Sequence, residues 1–332
     1  MCHRSYYLFG VENVHNAILW RGSLTKVLPL RIFLLSWILL ACSQAFGQDL
    51  EPRRWALLPS GVSFFSLGAA YSSGDILFDP VLQLKDVTLD YAGYGLGLVH
   101  TFNIFGETAR VDVNLPYASG HWQGLHQGVP ASTRRTGFQD PTMRLSWNFY
   151  GSPTLEGKAF GQFMAEHPVH TTMGVAVGFF VPIGEYFDDK LINLGNNRWA
   201  IRPQMGALHQ HNKWQFETTV AAILYGNNDQ FFPGNRLREQ DPLWSWQGHL
   251  IYTFMPGLWA SASGGVLWGG TSSVNGVSLD DRSRISVWAL SLGIPINRMQ
   301  GLKLAYTNSK THTDKGSDLG TWSLGWSIMF GH

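Results

Sequence analysis

The sequence predicts an all-β chain: a transmembrane antiparallel up-and-down β-barrel of about twelve strands, with long extracellular loops and short periplasmic turns. Three observations carry this expectation. Residues Trp322 to Phe330 alternate without a break. Trp322, Leu324, Trp326, Ile328 and Phe330 share one face, and Ser323, Gly325, Ser327 and Met329 share the other. A period of two is a strand, and its aromatic, apolar face suits lipid at a closing position. Charged residues are only 14% of the chain while aromatics reach 14%, with 14 Trp, whereas soluble domains average ~25% charged. The connections between alternating segments are short and long in turn, as a barrel with both termini in the periplasm requires.

The N-terminal region reads as an export signal. Arg21, Lys26 and Arg31 precede an apolar run from Ile32 to Ala41. A lipid-spanning helix needs ~20 apolar residues, so this run fits a signal peptide instead. Ala45-Phe46-Gly47 supplies small residues for cleavage before Gln48. Leu39-Leu40-Ala41-Cys42 resembles a lipobox, and lipidation of Cys42 is the rival reading. Residues 1–47 are therefore expected to be an N-terminal extension plus cleaved signal, and residues 48–332 a single outer-membrane barrel domain. Cys2 and Cys42 both precede Gln48. The mature chain then has no disulfide, thiol nucleophile or thiolate metal site. A net charge of +1 offers no electrostatic case for nucleic acid.

Further segments repeat the alternation. Ala109, Val111, Val113, Leu115 and Tyr117 oppose Arg110, Asp112 and Asn114. Met143, Leu145, Trp147 and Phe149 oppose Arg144, Ser146 and Asn148. Met173 to Val181, Trp214 to Leu224, Trp244 to Phe254 and Leu302 to Tyr306 follow the same pattern. A soluble sandwich also alternates. Trp and Tyr at strand ends, as in an interfacial girdle, favour the barrel. The run Val87 to Ile104 changes phase at Gly93, Gly95 and Gly97, which predicts a bulge. Short turns are expected at Phe105-Gly106-Glu107, His211-Asn212, Met255-Pro256-Gly257 and Pro295 to Gln300. Long loops are expected at 73–86, 119–137, 184–196, 226–241, 269–281 and 309–318. The inner connection Gly151 to Val169 is long. Phe160, Phe163, Met164 and His167 fit one face of a short helix, though a further strand is the alternative.

No catalytic constellation, cofactor motif or metal-spaced histidine pair on a helix stands out. The lumen-lining candidates are Arg110, Asp112, Arg144, Arg202, Gln215, Glu217, Gln247 and Arg284. Paired charges inside a barrel either brace it or set a field for a polar solute. His209 and His211 share a strand face beside a turn, as a metal pair or as interfacial residues. His121, His126, Arg134 and Arg135 fall in one outer loop. Tyr186, Phe187 and Leu191 are apolar within a loop, either packing it into the lumen or forming a constriction. Asn196 and Asn197 join them as loop candidates.

Several of these segments together resemble one known family. They are Thr136-Gly137-Phe138-Gln139-Asp140-Pro141 with Asn148 to Pro153, Pro182 to Tyr186 running through Lys190 to Pro203, Gln240-Asp241-Pro242-Leu243, and Trp268-Gly269-Gly270 with Val274-Asn275-Gly276. The chain is similar, over nearly all of its mature length, to the "MetA-pathway of phenol degradation" family of outer-membrane transporters. The resemblance implies a channel or transporter for small aromatic or hydrophobic compounds and brings no catalytic residues. Outer-membrane lipid, the barrel-assembly machinery acting on the C-terminal strand, and small solutes are the expected partners. A barrel binding a partner through its outer loops and a surface enzyme are the competing functions.

Overall fold

The computed structural model describes residues 50–77 and 84–331. The expected signal peptide, the cleavage site before Gln48 and Cys42 lie outside them. Chain order runs β1 (Ser63–Leu77), β2 (Leu84–Ile104), β3 (Glu107–His126), β4 (Val129–Phe138), β5 (Thr142–Tyr150), α1 (Gly157–Glu166), β6 (Val169–Phe180), β7 (Ala200–His211) and β8 (Trp214–Tyr225). It continues through β9 (Asn228–Phe231), β10 (Arg236–Gln240), β11 (Leu243–Met255), β12 (Leu258–Gly269), β13 (Ser272–Val274), β14 (Val277–Ser278), β15 (Ser283–Pro295), β16 (Gln300–Thr311) and β17 (Gly316–Phe330). Twelve strands close into an antiparallel barrel. The seam joins β1 to β17, with Ser63 opposite Phe330 and Leu77 opposite Gly316.

The alternation is inside-out relative to a soluble sandwich, which separates the two folds. On β8 Gln215, Glu217 and Thr219 are buried, while Phe216 and Val220 between and beside them are exposed. On β3 Val113 and Leu115 are exposed and flank the better-covered Asp112 and Asn114. Exposed apolar side chains ringing a closed sheet match a lipid-facing band. Aromatic contacts mark both edges of that band. Trp214 meets Tyr252 at 4.7 Å between ring centroids near the short turns, and Tyr306 meets Trp322 at 4.8 Å farther up the wall.

The short turns fall where the sequence places them. Phe105 and Gly106, with φ of 53° and 84°, form the β2–β3 turn. Two successive positive φ values are what a tight hairpin needs. In the long inner connection, the helical alternative holds: α1 occupies Gly157–Glu166, none of its residues is buried, and Phe163 stacks on His167 at 4.1 Å.

Three local expectations are corrected. The stretch 119–137 is mostly strand, because β3 runs on past the lipid-facing band and turns at Gln127-Gly128 into β4. Loops 226–241 and 269–281 carry β9, β10, β13 and β14, which pair into one four-stranded sheet. No bulge interrupts β2 at its glycines, since pairing with β3 is continuous from Thr88 to Ile104. The phase change has another cause. Val87, Leu89 and Tyr91 point inward, and there they pack with Ala118, Trp122 and Leu194. The interior is apolar at that level, so the apolar residues move to the inner face.

Candidate functional site

Residues 50–60 precede β1 and occupy the lumen from the short-turn end. Trp55 is fully buried. Its indole N–H donates to Thr219 Oγ1 at 2.8 Å, its backbone N–H to Glu217 Oε1 at 2.9 Å, and its carbonyl accepts from Thr172 Oγ1 at 2.6 Å. Glu217 also accepts the backbone N–H of Arg53. The indole sits against Gly174 of β6 and Gly206 of β7, where a Cβ would overlap the ring. Glycine there is a packing requirement, because two backbones must approach one large side chain.

Charge locks the same segment. Glu51 accepts both Arg144 Nη1 contacts, at 2.9 and 2.8 Å, and its own N–H donates to Gln247 Oε1 at 3.1 Å. Arg54 pairs with Asp112 at 3.2 Å and also reaches Ser146. Arg144 and Arg110 lie 3.3 and 3.4 Å from the same Asp112 carboxylate. Inward charges spread over β3, β5 and β8 therefore converge on one plug, and this satisfies groups that burial would otherwise penalise.

Above the plug lies a cavity of about 360 Å³ lined by Arg144, Arg198, Arg202, Asp140, Phe180, Leu194, Ile223 and Tyr225 among others. Its roof is the connection between β6 and β7. Asp140 holds that connection by accepting the N–H groups of Gly184 and Asn196 and the Asn196 side-chain amide at 3.0 Å. Asn197, at φ 52°, donates to Asn228 Oδ1 at 3.1 Å. Tyr186 O–H donates to the Gln230 carbonyl at 3.0 Å. These three residues fix the loop.

The loop's apolar anchor is Leu194, which the sequence reading did not single out. Phe187 stays exposed with the Arg135 guanidinium 6.0 Å over its ring. Leu191 instead lines a second, mostly apolar pocket of about 360 Å³ at the outer rim with Val87, Trp122 and Phe232. Of the two readings of Tyr186, Phe187 and Leu191, an infolded loop matches the placement at Ile192 and Leu194, which pack on the β2–β3 cluster.

The structure places Arg110, Asp112, Arg144, Arg202, Gln215, Glu217 and Gln247 on the inner face and brings most of them to the plug or the cavity. Arg284 is a correction. It is exposed on the outer face of β15, opposite the outward Trp268. It sits one residue from the strand's outer end, where the outer face meets water and tolerates charge. His209 bonds Thr171 on the neighbouring strand at 2.9 Å. Among the described residues no group of three or more His, Cys, Asp or Glu side chains could hold a metal. Three Ser–His pairs form, Ser63–His100, Ser286–His312 and Ser263–His249, and the buried one places His249 Nδ1 2.7 Å from Ser263 Oγ. His249 Nε2 has no partner among the described residues, so the orienting group of a triad is not in place.

Glu51, Arg53, Arg54 and Trp55 are the functional residues that periodicity missed. A segment that fills a lumen has no lipid face and no repeat. The available signal was four charges, Asp49, Glu51, Arg53 and Arg54, crowded beside Trp55 shortly before the first strand.

Among solved structures, the fold is similar to the COG4313 outer membrane channel from Pseudomonas putida F1. The TM-score is 0.70 at 21% identity, over 85% of this chain and all 100% of that one. The transport unit of the autotransporter AIDA-I from Escherichia coli aligns with a TM-score of 0.48 at 12% identity, over 86% of this chain and 94% of that one. Comparison with curated protein sequences gave no match. The family model described as "Putative MetA-pathway of phenol degradation" matches residues 73–319. That match spans the barrel wall from β1 into β17, and the chain belongs to this family.

Proposed function

We propose that this protein is an outer-membrane channel for the passive passage of small, apolar or aromatic compounds, with residues 50–60 as the plug that limits flow. The observation that carries the reading is the stacked interior. A salt-bridged plug lies below a cavity whose walls include Phe180, Leu194 and Ile223, under an infolded loop. A narrow lumen of this kind excludes large polar solutes, and apolar walls favour a solute that sheds its water. The neighbour's description as an outer membrane channel supports a channel, and the family's link to phenol degradation supports an aromatic solute. Lipid contact through the exposed apolar band and delivery by the barrel-assembly machinery through β17 belong to this reading, as does cleavage before Gln48.

Uptake of a labelled neutral aromatic and of glucose by cells with and without the protein tests it. The channel reading expects faster aromatic uptake and little change for glucose. Equal uptake with and without the protein, together with silent planar bilayers, would overturn it. N-terminal sequencing of outer-membrane material checks the cleavage site, and a lipid-modified Cys42 would replace it.

A further inference from the structure

The cavity above the plug holds two guanidinium groups that no carboxylate among the described residues contacts directly. Arg198 and Arg202 both line it, with fractional exposures of 6% and 8%. Neither takes part in an ion pair among the described residues. Arg198 Nη1 and Arg202 Nε have no hydrogen-bond partner there. Arg198 uses its other groups on a neutral acceptor, Gln240 Oε1, and on the face of Tyr225, 4.4 Å from the ring centroid. The carboxylates that line the same cavity act on these arginines only at a distance and make their direct contacts elsewhere. Asp140 is held by the Gly184 and Asn196 donors, and Glu51 and Asp112 hold Arg144. Burial, with Arg238 nearby, pulls the Arg198 guanidinium down to about 10. It therefore stays charged at neutral pH, at the cost that burying an unpaired cation carries. An anion seated between the two arginines removes that cost.

We propose that this cavity binds an organic monocarboxylate with a short apolar or aromatic body. The carboxylate accepts from Arg198 Nη1 and Arg202 Nε, in the planar, charge-assisted geometry that guanidinium groups favour. The body lies against Phe180, Leu194 and Ile223. A volume of about 360 Å³ is at the small end for ligand pockets. The proposal rests on the channel reading and adds the charge of the solute.

The test is equilibrium binding to the purified full barrel in detergent micelles, read by calorimetry. Three probes divide the chemistry: benzoate, benzyl alcohol as a neutral aromatic, and acetate as the head without a body. Benzoate is expected to bind roughly tenfold or more tightly than either of the others. Arg202→Gln and Arg198→Gln should each lose roughly tenfold of benzoate affinity and leave benzyl alcohol unchanged. If a Gln variant fails to give the heat-modifiable folded band, Arg202→Lys and the wild-type comparison of the three probes still decide. Benzyl alcohol or acetate binding as tightly as benzoate overturns the proposal, as does benzoate affinity indifferent to the variants. A barrel that binds benzoate in micelles yet conducts nothing in bilayers removes the channel reading alone. A conducting barrel without preference for benzoate removes this inference alone.

Discussion

Trp55 fills the space that Gly206 leaves open. A Cβ on Gly206 would overlap the indole nitrogen, the same nitrogen that donates to Thr219 at 2.8 Å. The plug is thus seated by a missing side chain in the wall as much as by bonds.

Gly174→Val should unseat the indole with less strain on the sheet, because the nearest atoms a Cβ there meets are side chains of Trp55 and Asn148, whereas a Cβ on Gly206 also meets the Thr218 carbonyl at 2.5 Å. Single-channel conductance should rise and protease should cut near residues 50–60. Trp55→Ala should act in the same direction, with a cost of about 3–5 kcal/mol for truncating a buried Trp. Conductance unchanged in both variants would mean that the segment does not obstruct the pathway.

Glu217→Gln tests the bonds. The carboxylate accepts the backbone N–H groups of both Arg53 and Trp55. A Gln keeps one acceptor oxygen and turns an amide toward the other donor, which should cost about 1–3 kcal/mol. Faster hydrogen exchange at the Arg53 and Trp55 amides would show it, with barrel amides unaffected.

Arg144→Ala should be worse than the pair's removal. It leaves Glu51 with only the longer Arg54 contact at 3.9 Å and takes one cation from Asp112, and breaking a buried pair costs about 3–5 kcal/mol. In a Glu51→Gln background the same change should cost much less. Urea titration of the four proteins of that cycle measures the coupling, and simple additivity would show that the Glu51–Arg144 contact at 2.8 Å contributes nothing.

Val113→Arg probes the outer face. Val113 is 41% exposed on a closed barrel, and an Arg near the bilayer midplane costs about 2–4 kcal/mol. Assembly into lipid should fall, while channels that do assemble should conduct normally. Normal assembly in lipid would contradict lipid contact at this position.

The barrel wall was legible because lipid on one side and polar lumen on the other impose a period of two on every strand. That argument worked for β3, β8 and β17, where the two faces see uniform surroundings over the lipid-facing band. It failed where the surroundings change along a strand. Arg284 lies near the outer end of β15, and the outer half of β2 faces an apolar interior cluster, so polarity there no longer reports the face. Leu194 and Trp55 were illegible for a related reason. Each is buried by contacts with residues far away in the chain, such as Tyr91 for Leu194 and Gly206 for Trp55, and local pattern carries no trace of such partners.

The seam of the barrel joins β1 to β17, and the plug is the stretch of chain immediately before β1. Its anchors, however, sit on β3, β5, β6, β8 and β11. The part of the described chain that emerges first thus waits for most of the later strands before it has anywhere to bind. A sheet that has not reached β8 offers the tryptophan no seat, and the Glu51 contact to Gln247 forms only once β11 has joined. A seated tryptophan is thus the molecule's own report that β6, β7 and β8 stand side by side.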